Sequence, residues 1–375
     1  MNVLHLGKFD AFGGIERHVR SLLRGLIASG RVHAINLVAN NKARTDRHTE
    51  HGYLTVRAAC WGTPFSLALA PTLPHIAREL HREHKFDIVH LHFPDPLGQF
   101  VAMSLPRGVR RIVSWHSDIV RQRAALALYR PFQQRFLRTV DAVIGATPYH
   151  FSSSTQLPHL SEDKRHVIPY GFDAHALQPS PASDARRALL LTERGSRGAL
   201  FALGRHVYYK GFDVLIRAMR TVNALLWIGG SGPLTAQLAA LIASEGVAAR
   251  VRLVGPIPED ELLAYYQACD AFVLPSVAVA EGFGLVQLEA MYCERPVVAT
   301  RLGTGVEWVN IDGETGLLVP PGDDAALAAA LTRLLTDTAL RARLGANGRA
   351  RVLGEFSERN MVERMLAVYD GALAS

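Results

Sequence analysis

Residues 271–291 read Ala271-Phe272-Val273-Leu274-Pro275-Ser276-Val277-Ala278-Val279-Ala280-Glu281-Gly282-Phe283-Gly284-Leu285-Val286-Gln287-Leu288-Glu289-Ala290-Met291. A short apolar run stopped by Pro-Ser predicts a buried strand, Gly-Phe-Gly a tight turn, and the following residues a helix whose first-turn amides open toward the turn. Such amides cradle phosphate and sugar oxygens. Glu281 before the helix and Glu289 two turns inside it supply carboxylates, which accept hydrogen bonds from neighbouring hydroxyls. Substrate hydroxyls rather than protein groups are the expected partners of Glu281, so Glu281→Ala should abolish turnover and leave the fold intact.

On both sides of this stretch, short β-branched or leucine-rich runs alternate with amphipathic helical segments along almost the whole chain, the pattern of parallel α/β units. Strands are expected at Val3–Leu6, Ile35–Ala39, Asp87–His92, Arg111–Trp115, Asp141–Gly145 and His166–Pro169, then at Ala199–Leu203, Ala224–Ile228, Val251–Val254, Ala271–Leu274, Pro296–Ala299 and Gly316–Val319. Each half has six. The fold class is therefore α/β, with a Rossmann-like domain over 1–172, a linker over 173–198 rich in Pro and Ser, a second Rossmann-like domain over 199–356 and a closing helix over 357–375. Ligands bind at the carboxyl ends of parallel strands, so two facing sheets make a cleft site natural.

Three further loops sit where strands end. Gly204-Arg205-His206-Val207-Tyr208-Tyr209-Lys210-Gly211-Phe212 offers two cations, a forked guanidinium and a point charge, suited to a diphosphate. A solvated basic loop is the alternative. Gly13-Gly14-Ile15-Glu16 opens a helix and permits close approach of an anion, although a plain tight turn explains it equally well. Ser114-Trp115-His116-Ser117-Asp118 places His116 at a strand end; the competing reading is a hydrogen-bonded structural histidine.

With 375 residues, 49% hydrophobic and 20% charged, the chain is too long for one core and too apolar for disorder. No apolar run reaches the ~20 residues of a membrane-spanning helix, and the opening residues do not read as a signal peptide, which predicts a cytosolic protein. Cys60, Cys269 and Cys293 have no metal-ligand spacing and read as buried thiols. Charge is uneven: to residue 170 there are 22 Lys+Arg against 12 Asp+Glu, a net of +10, and the remainder carries 19 against 22, a net of −3. The first half should therefore face something anionic, a membrane surface or a phosphorylated acceptor. Without a recognition motif or interleaved aromatics, nucleic acid is not expected.

Taken together, the Gly-Gly-Ile-Glu loop, Ile168-Pro169-Tyr170-Gly171-Phe172-Asp173, the Gly-Arg…Lys-Gly loop, Ile228-Gly229-Gly230-Ser231-Gly232-Pro233, the Glu-x7-Glu segment and Gly322-Asp323-Asp324 make the chain resemble, over nearly its full length, the retaining glycosyltransferases of family four, with the GT-B fold. The resemblance implies that Arg205 and Lys210 hold the donor diphosphate, Glu281 and His116 touch the donor sugar, and Glu289 holds the ribose. It also implies that backbone at Phe283, Gly284, Leu285 and Val286 lines the phosphate, that Ile257 and Glu259 lie near the base, and that Gly13 and Gly14 close over the diphosphate. The Arg-to-Lys interval varies within the family, and Tyr208-Tyr209 is a departure that bears on this loop's conformation. Ser-Trp-His-Ser-Asp followed by Leu128-Tyr129-Arg130-Pro131 resembles members that build surface polysaccharides from GDP-mannose or related deoxyhexoses, with UDP-sugars as the alternative donor class.

Retaining transfer needs charge stabilisation on the leaving diphosphate, which Arg205, Lys210 and the helix start at Gly284 can supply without a metal or other cofactor. No apolar strand leads into Asp-x-Asp, so no metal requirement is expected. The rival enzyme is a nucleotide-sugar 2-epimerase, and the non-enzymatic rival a nucleotide-sugar sensor. A dehydrogenase lacks its glycine fingerprint followed by an acid. The acceptor is expected to be lipid-linked or a polysaccharide. From Arg107 to Arg138, eight arginines stand against one acid, Asp118, with Leu126, Leu128, Phe132, Phe136 and Leu137 interleaved in the later part. That segment reads as a peripheral contact with an anionic leaflet, or as a solvated helix whose apolar side is core.

Overall fold

β-Strand residues alternate faces, and in a sheet covered by helices on both sides both faces must be apolar. A computed structural model describes residues 1–9, 14–63, 67–119 and 123–374 and shows this arrangement twice. One unit comprises Met1–Gly171 with Glu358–Ser375, the other Phe172–Ser357.

Among the described residues the first unit has strands β1 (Asn2–Phe9), β2 (His33–Ala39), β3 (Asp46–Glu50), β4 (Tyr53–Ala58), β5 (Ile88–Phe93), β6 (Arg110–Trp115), β7 (Ala142–Gly145) and β8 (Arg165–Val167). They are ordered β3-β4-β2-β1-β5-β6-β7-β8. All described pairings are parallel except β3 with β4. Leu4, Leu6, Val89, Leu91 and Val113 bury on one face; Val3, Ile88 and Ile112 bury on the other. His5, His90, His92 and Ser114 continue that second face toward the carboxyl ends, in register, with His5 beside His90 and His92 beside Ser114. The helices Gly14–Ala28 and Glu358–Ala374 cover it, the latter through Met361, Met365, Leu366 and Tyr369.

The second unit has β9 (Gly198–Leu203), β10 (Ala224–Gly229), β11 (Val251–Gly255), β12 (Ala271–Leu274), β13 (Val297–Thr300) and β14 (Gly316–Val319), ordered β11-β10-β9-β12-β13-β14 and parallel throughout. The order reverses direction between β9 and β12. In open α/β sheets that reversal leaves a crevice at the strand carboxyl ends where ligands bind.

Two expectations are corrected. The stretch 173–198 is not a bare linker: Ser180 and Ser183 form a reciprocal capping box, Pro181 takes the first helical position, and Pro181–Arg194 is a helix. It belongs to the second unit through Arg186–Glu261 at 2.7 Å and Arg194–Asp270 at 2.7 Å. Among the described residues the first half has eight strands rather than six: Tyr53–Ala58 joins β2, and β3 pairs antiparallel with it through the polar run Asp46-Arg47-His48-Thr49-Glu50, which carries no apolar signal. Of the thiols, Cys60 and Cys269 are buried and Cys293 half-buried.

The basic segment also divides. On the helix Arg123–Leu137, Phe136 and Leu137 are core, whereas Leu128 and Phe132 are 80% and 54% exposed. They stand one turn apart, and Phe132 faces the exposed Phe100 at 6.3 Å between ring centres. Arg107, Arg130, Arg135 and Arg138 are exposed. Among the described residues no helix is long and apolar enough to cross a membrane.

Candidate functional site

Loop 204–211 leaves β9 and loop 275–284 leaves β12, on either side of the reversal. Gly211, at φ 64°, lets them touch: a Cβ there would strike the Pro275 carbonyl oxygen. The Val277 amide donates to Tyr209 O at 2.8 Å, and Tyr208–Lys210 is one 3-10 turn, so the paired tyrosines are accommodated without loosening the loop. This lacing brings Lys210 Nζ to Glu281 Oε2 at 2.6 Å, with the two side chains 11% and 10% exposed. Ser276 Oγ donates to the same oxygen at 2.9 Å. Thr304 Oγ1 donates to the Glu281 carbonyl at 2.9 Å, and the Gly305 amide to Gly282 O at 2.8 Å, so the turn is held from the β13 side as well. Glu281 Oε1 has no hydrogen-bond partner among the described residues.

Gly284, at φ 70°, precedes the helix Leu285–Tyr292, whose first amides have no partner one turn back. Phe283 is buried, its ring edge-on to Phe356 and its carbonyl accepting from Gln287 Nε2 at 2.6 Å. Glu289 is buried and accepts from Tyr266 Oη at 2.7 Å. Leu285 and Val286 are half-buried. Arg205 is exposed and its guanidinium has no partner among the described residues, so only one of the two expected cations is built into the pocket. At the end of β11, half-buried Ile257 packs on Gly229 and exposed Glu259 starts a 3-10 turn. The expectation that Glu281 has substrate partners alone is corrected: Lys210 and Ser276 already bind it, so its truncation strikes the fold as well as the reaction. Ser276 and Tyr266 were not singled out from sequence, because nothing local marks a serine or tyrosine as the holder of a distant carboxylate.

In the first unit, His116 is buried and both ring nitrogens are taken, Nε2 by His92 Nδ1 at 3.2 Å and Nδ1 by Tyr170 Oη at 2.6 Å. His92 and His116 border a cavity of about 200 Å³ with Lys8, Glu16, Arg20 and Asn36. Gly14 opens its helix, exposed; Gly13 lies outside the described residues. Burial pushes His5 and His18 down to about 3, with His18 adding to the effect on His5. His90, His92 and His116 are held well below the ordinary range first by burial, and then His90 and His92 by neighbouring histidines of the cluster, His5 and His116 among them, and His116 by His18 and His150. The signal for this cluster was present in His90-Leu91-His92, since alternate strand residues share a face.

A buried cation and carboxylate beside open helix amides, at the reversal of a doubly wound sheet, define a site for a phosphorylated, hydroxyl-rich ligand. The family profile described as Glycosyltransferase Family 4 matches residues 12–176, and Glycosyl transferases group 1 matches 191–351. The O-antigen chain mannosyltransferase C of Escherichia coli is 30% identical over the full length of both chains. A GDP-mannose-dependent alpha-(1-6)-phosphatidylinositol monomannoside mannosyltransferase of Mycolicibacterium smegmatis is 30% identical over 96% of this chain and 95% of its own. Among solved structures, sucrose-phosphate synthase from Thermosynechococcus elongatus superposes with a TM-score of 0.82 at 25% identity, covering 100% and 99% of the two chains. The chain belongs to the family 4 glycosyltransferases, and its two doubly wound units are those of the GT-B fold.

Two outcomes follow for stability. Glu281→Ala strands a buried ammonium and should cost about 3–5 kcal/mol, whereas Lys210→Met with Glu281→Leu should recover most of it, because an apolar pair replaces a buried ion pair at little net cost. Urea midpoints decide; a double variant as unstable as Glu281→Ala contradicts the pairing. The second outcome concerns pH. These five buried histidines of the first unit are neutral when folded and titrate near 6.5 when unfolded, so below 6.5 the unfolded chain binds more protons and stability falls as pH drops. Asp95, pushed up to about 6 mainly by burial, acts in the opposite sense between about 4 and 6, one group against five. The net loss is on the order of 5 kcal/mol per pH unit below 6, and a urea midpoint unchanged from pH 7.5 to 5 would contradict it.

Proposed function

We propose that the chain transfers a hexose, with retention, from a GDP-sugar, GDP-mannose or a related GDP-deoxyhexose, to a lipid-linked or polysaccharide acceptor in cell-envelope glycan synthesis. The observation that carries the reading is the buried Lys210–Glu281 pair beside the open amides of Leu285 and Val286. In this reading the diphosphate draws the Lys210 ammonium from Glu281 and meets the unpaired Arg205; the released carboxylate accepts from sugar hydroxyls, and Glu289 from the ribose. His116 touches the sugar once a sugar oxygen takes the place of one of its present partners, Ile257 and Glu259 lie toward the base, and Gly13-Gly14 toward the diphosphate. The acceptor oxygen bonds to the anomeric carbon on the face the diphosphate leaves. The C–O bond breaks with its electron pair passing to the phosphate oxygen, which takes the acceptor's proton.

The mannosyl and GDP-mannose names of the two relatives support the donor class. The exposed Phe100, Leu128 and Phe132 among Arg107, Arg130 and Arg135 support peripheral contact at the inner face of an anionic membrane, where each cation contributes ~1 kcal/mol.

One assay tests these points: purified protein, a panel of GDP- and UDP-sugars, and a lipid-linked acceptor carried in anionic or neutral vesicles. Acceptor-dependent release of GDP, an axial or equatorial product linkage matching the donor's, and faster transfer on anionic vesicles at low salt are expected. Arg205→Ala should lose about 2–4 kcal/mol of transition-state stabilisation, and Arg130→Gln with Arg135→Gln should remove the preference for anionic vesicles. Turnover with UDP-sugars alone overturns the donor, an inverted product overturns retention, epimerised donor without acceptor supports a 2-epimerase, and binding without turnover a sensor.

A further inference from the structure

Seven buried side chains of the first unit stand in single file. Ser114 Oγ meets His90 Nε2 at 2.8 Å, His90 Nδ1 meets Tyr369 Oη at 2.6 Å, and Tyr369 Oη meets His5 Nε2 at 3.3 Å. His5 Nδ1 meets His92 Nε2 at 3.1 Å, His92 Nδ1 meets His116 Nε2 at 3.2 Å, and His116 Nδ1 meets Tyr170 Oη at 2.6 Å. Both nitrogens of all four imidazoles are used. We propose that Ser114, His90, Tyr369, His5 and His92 are positioning residues that hold His116 as its Nδ1–H tautomer, so that its Nδ1 is a donor, never an acceptor, to Tyr170 Oη or to a sugar oxygen that takes that oxygen's place; the link to sugar recognition rests on the role of His116 in the proposed function.

A neutral imidazole has one N–H and one lone pair, and a hydroxyl in the file must donate to one neighbour and accept from the other. Every bond is made only when all six point the same way. Two directions satisfy the interior, and the ends choose between them. Among the described residues Ser114 Oγ has one hydrogen-bond partner, His90 Nε2, and Ser114 is 3% exposed. If the file ran from Tyr170 toward Ser114, the buried serine proton would have no acceptor, at a cost of about 1–3 kcal/mol. Tyr170, at the other end, has a further interaction of its own. The file therefore runs from Ser114 to Tyr170, which makes His90, His5, His92 and His116 all Nδ1–H.

An imidazolium, with two donors and no lone pair, has no place in this file, in keeping with the downward shifts that burial produces. The buried end at Ser114 also excludes a proton relay to water along these residues, leaving orientation as what the file can transmit. His5, His90 and His92 offer nitrogens within 4.8 Å of one another, as a metal centre would. A cation there would take lone pairs that the hydrogen bonds already use.

The test is selective 15N-histidine labelling of the full chain, reading each tautomer from long-range ring correlations at pH 7.5. All four histidines should be Nδ1–H. Tyr369→Phe, which removes only the linking oxygen, and Ser114→Ala, which removes the anchor, should each turn His116 into a mixture of tautomers, and Ser114→Thr should restore the single form. With half the molecules presenting the wrong nitrogen, the donor KM should rise about twofold in both variants, with kcat less affected. A wild-type His116 found as Nε2–H or as a cation overturns the proposal, as does an unchanged His116 in both variants, or displacement of all three cluster signals by one equivalent of Zn²⁺. A tautomer that shifts while KM stays fixed overturns the positioning role. Absence of transfer from any donor in the wild type would sink the proposed function and leave the tautomer readout standing.

Discussion

The ion pair between Lys210 and Glu281 is the contact on which the second unit's site depends. It joins the loops after β9 and β12 across the reversal of the sheet, and the surrounding details serve that junction: Gly211 for backbone approach, Ser276 on the shared carboxylate oxygen, and Thr304 on the Glu281 carbonyl. Burying two charges is not an efficient way to stabilise a fold, since apolar groups of similar size do as well. In the proposed function the pair serves as a poised ligand set. Its ammonium is desolvated and already neutralised, so an incoming anion exchanges one partner for another instead of stripping water from a free cation.

The first unit repeats the topology and fills the equivalent strand ends with a different chemistry. Where the second sheet places a cation and an anion, the first places neutral imidazoles joined end to end. Neutrality is enforced by burial under the helices Gly14–Ala28 and Glu358–Ala374. The C-terminal helix is thus more than a cover: Tyr369 contributes an oxygen to a hydrogen-bonded file that begins on β6. A rigid polar face without charge suits a surface that must fix direction, while the cavity beside it supplies charge from Lys8, Glu16 and Arg20.

Strand positions were legible wherever an apolar run stood between turn residues, as at Ala271–Leu274 and Gly316–Val319, because burial on both faces leaves a continuous apolar signature. The strand Asp46–Glu50 was not, since a polar strand paired only to β4 at the sheet's edge carries no such pattern. The stretch 173–198 misled through its prolines and serines, which here initiate a helix. At the site, Glu281, Gly284 and Lys210 were readable from their places beside strands, but their mutual contact was not: it depends on two loops 71 residues apart in sequence meeting in space. For the same reason His116 was visible as a histidine at a strand end and His90-Leu91-His92 as a pair on one strand face, whereas the contacts of His116 with His92 and Tyr170 and the continuation to His5 and Tyr369 were not.

The central claim is that Lys210 at the sheet reversal recognises a diphosphate. Calorimetric titration of the protein with GDP and with GMP measures it directly, because the two ligands differ by the one phosphoryl group at issue. GDP should bind at least tenfold tighter, about 1.4 kcal/mol, and Lys210→Ala should remove that difference while leaving GMP affinity nearly unchanged. Equal weakening of both nucleotides by the substitution, or no preference for the diphosphate in the unaltered protein, would contradict it.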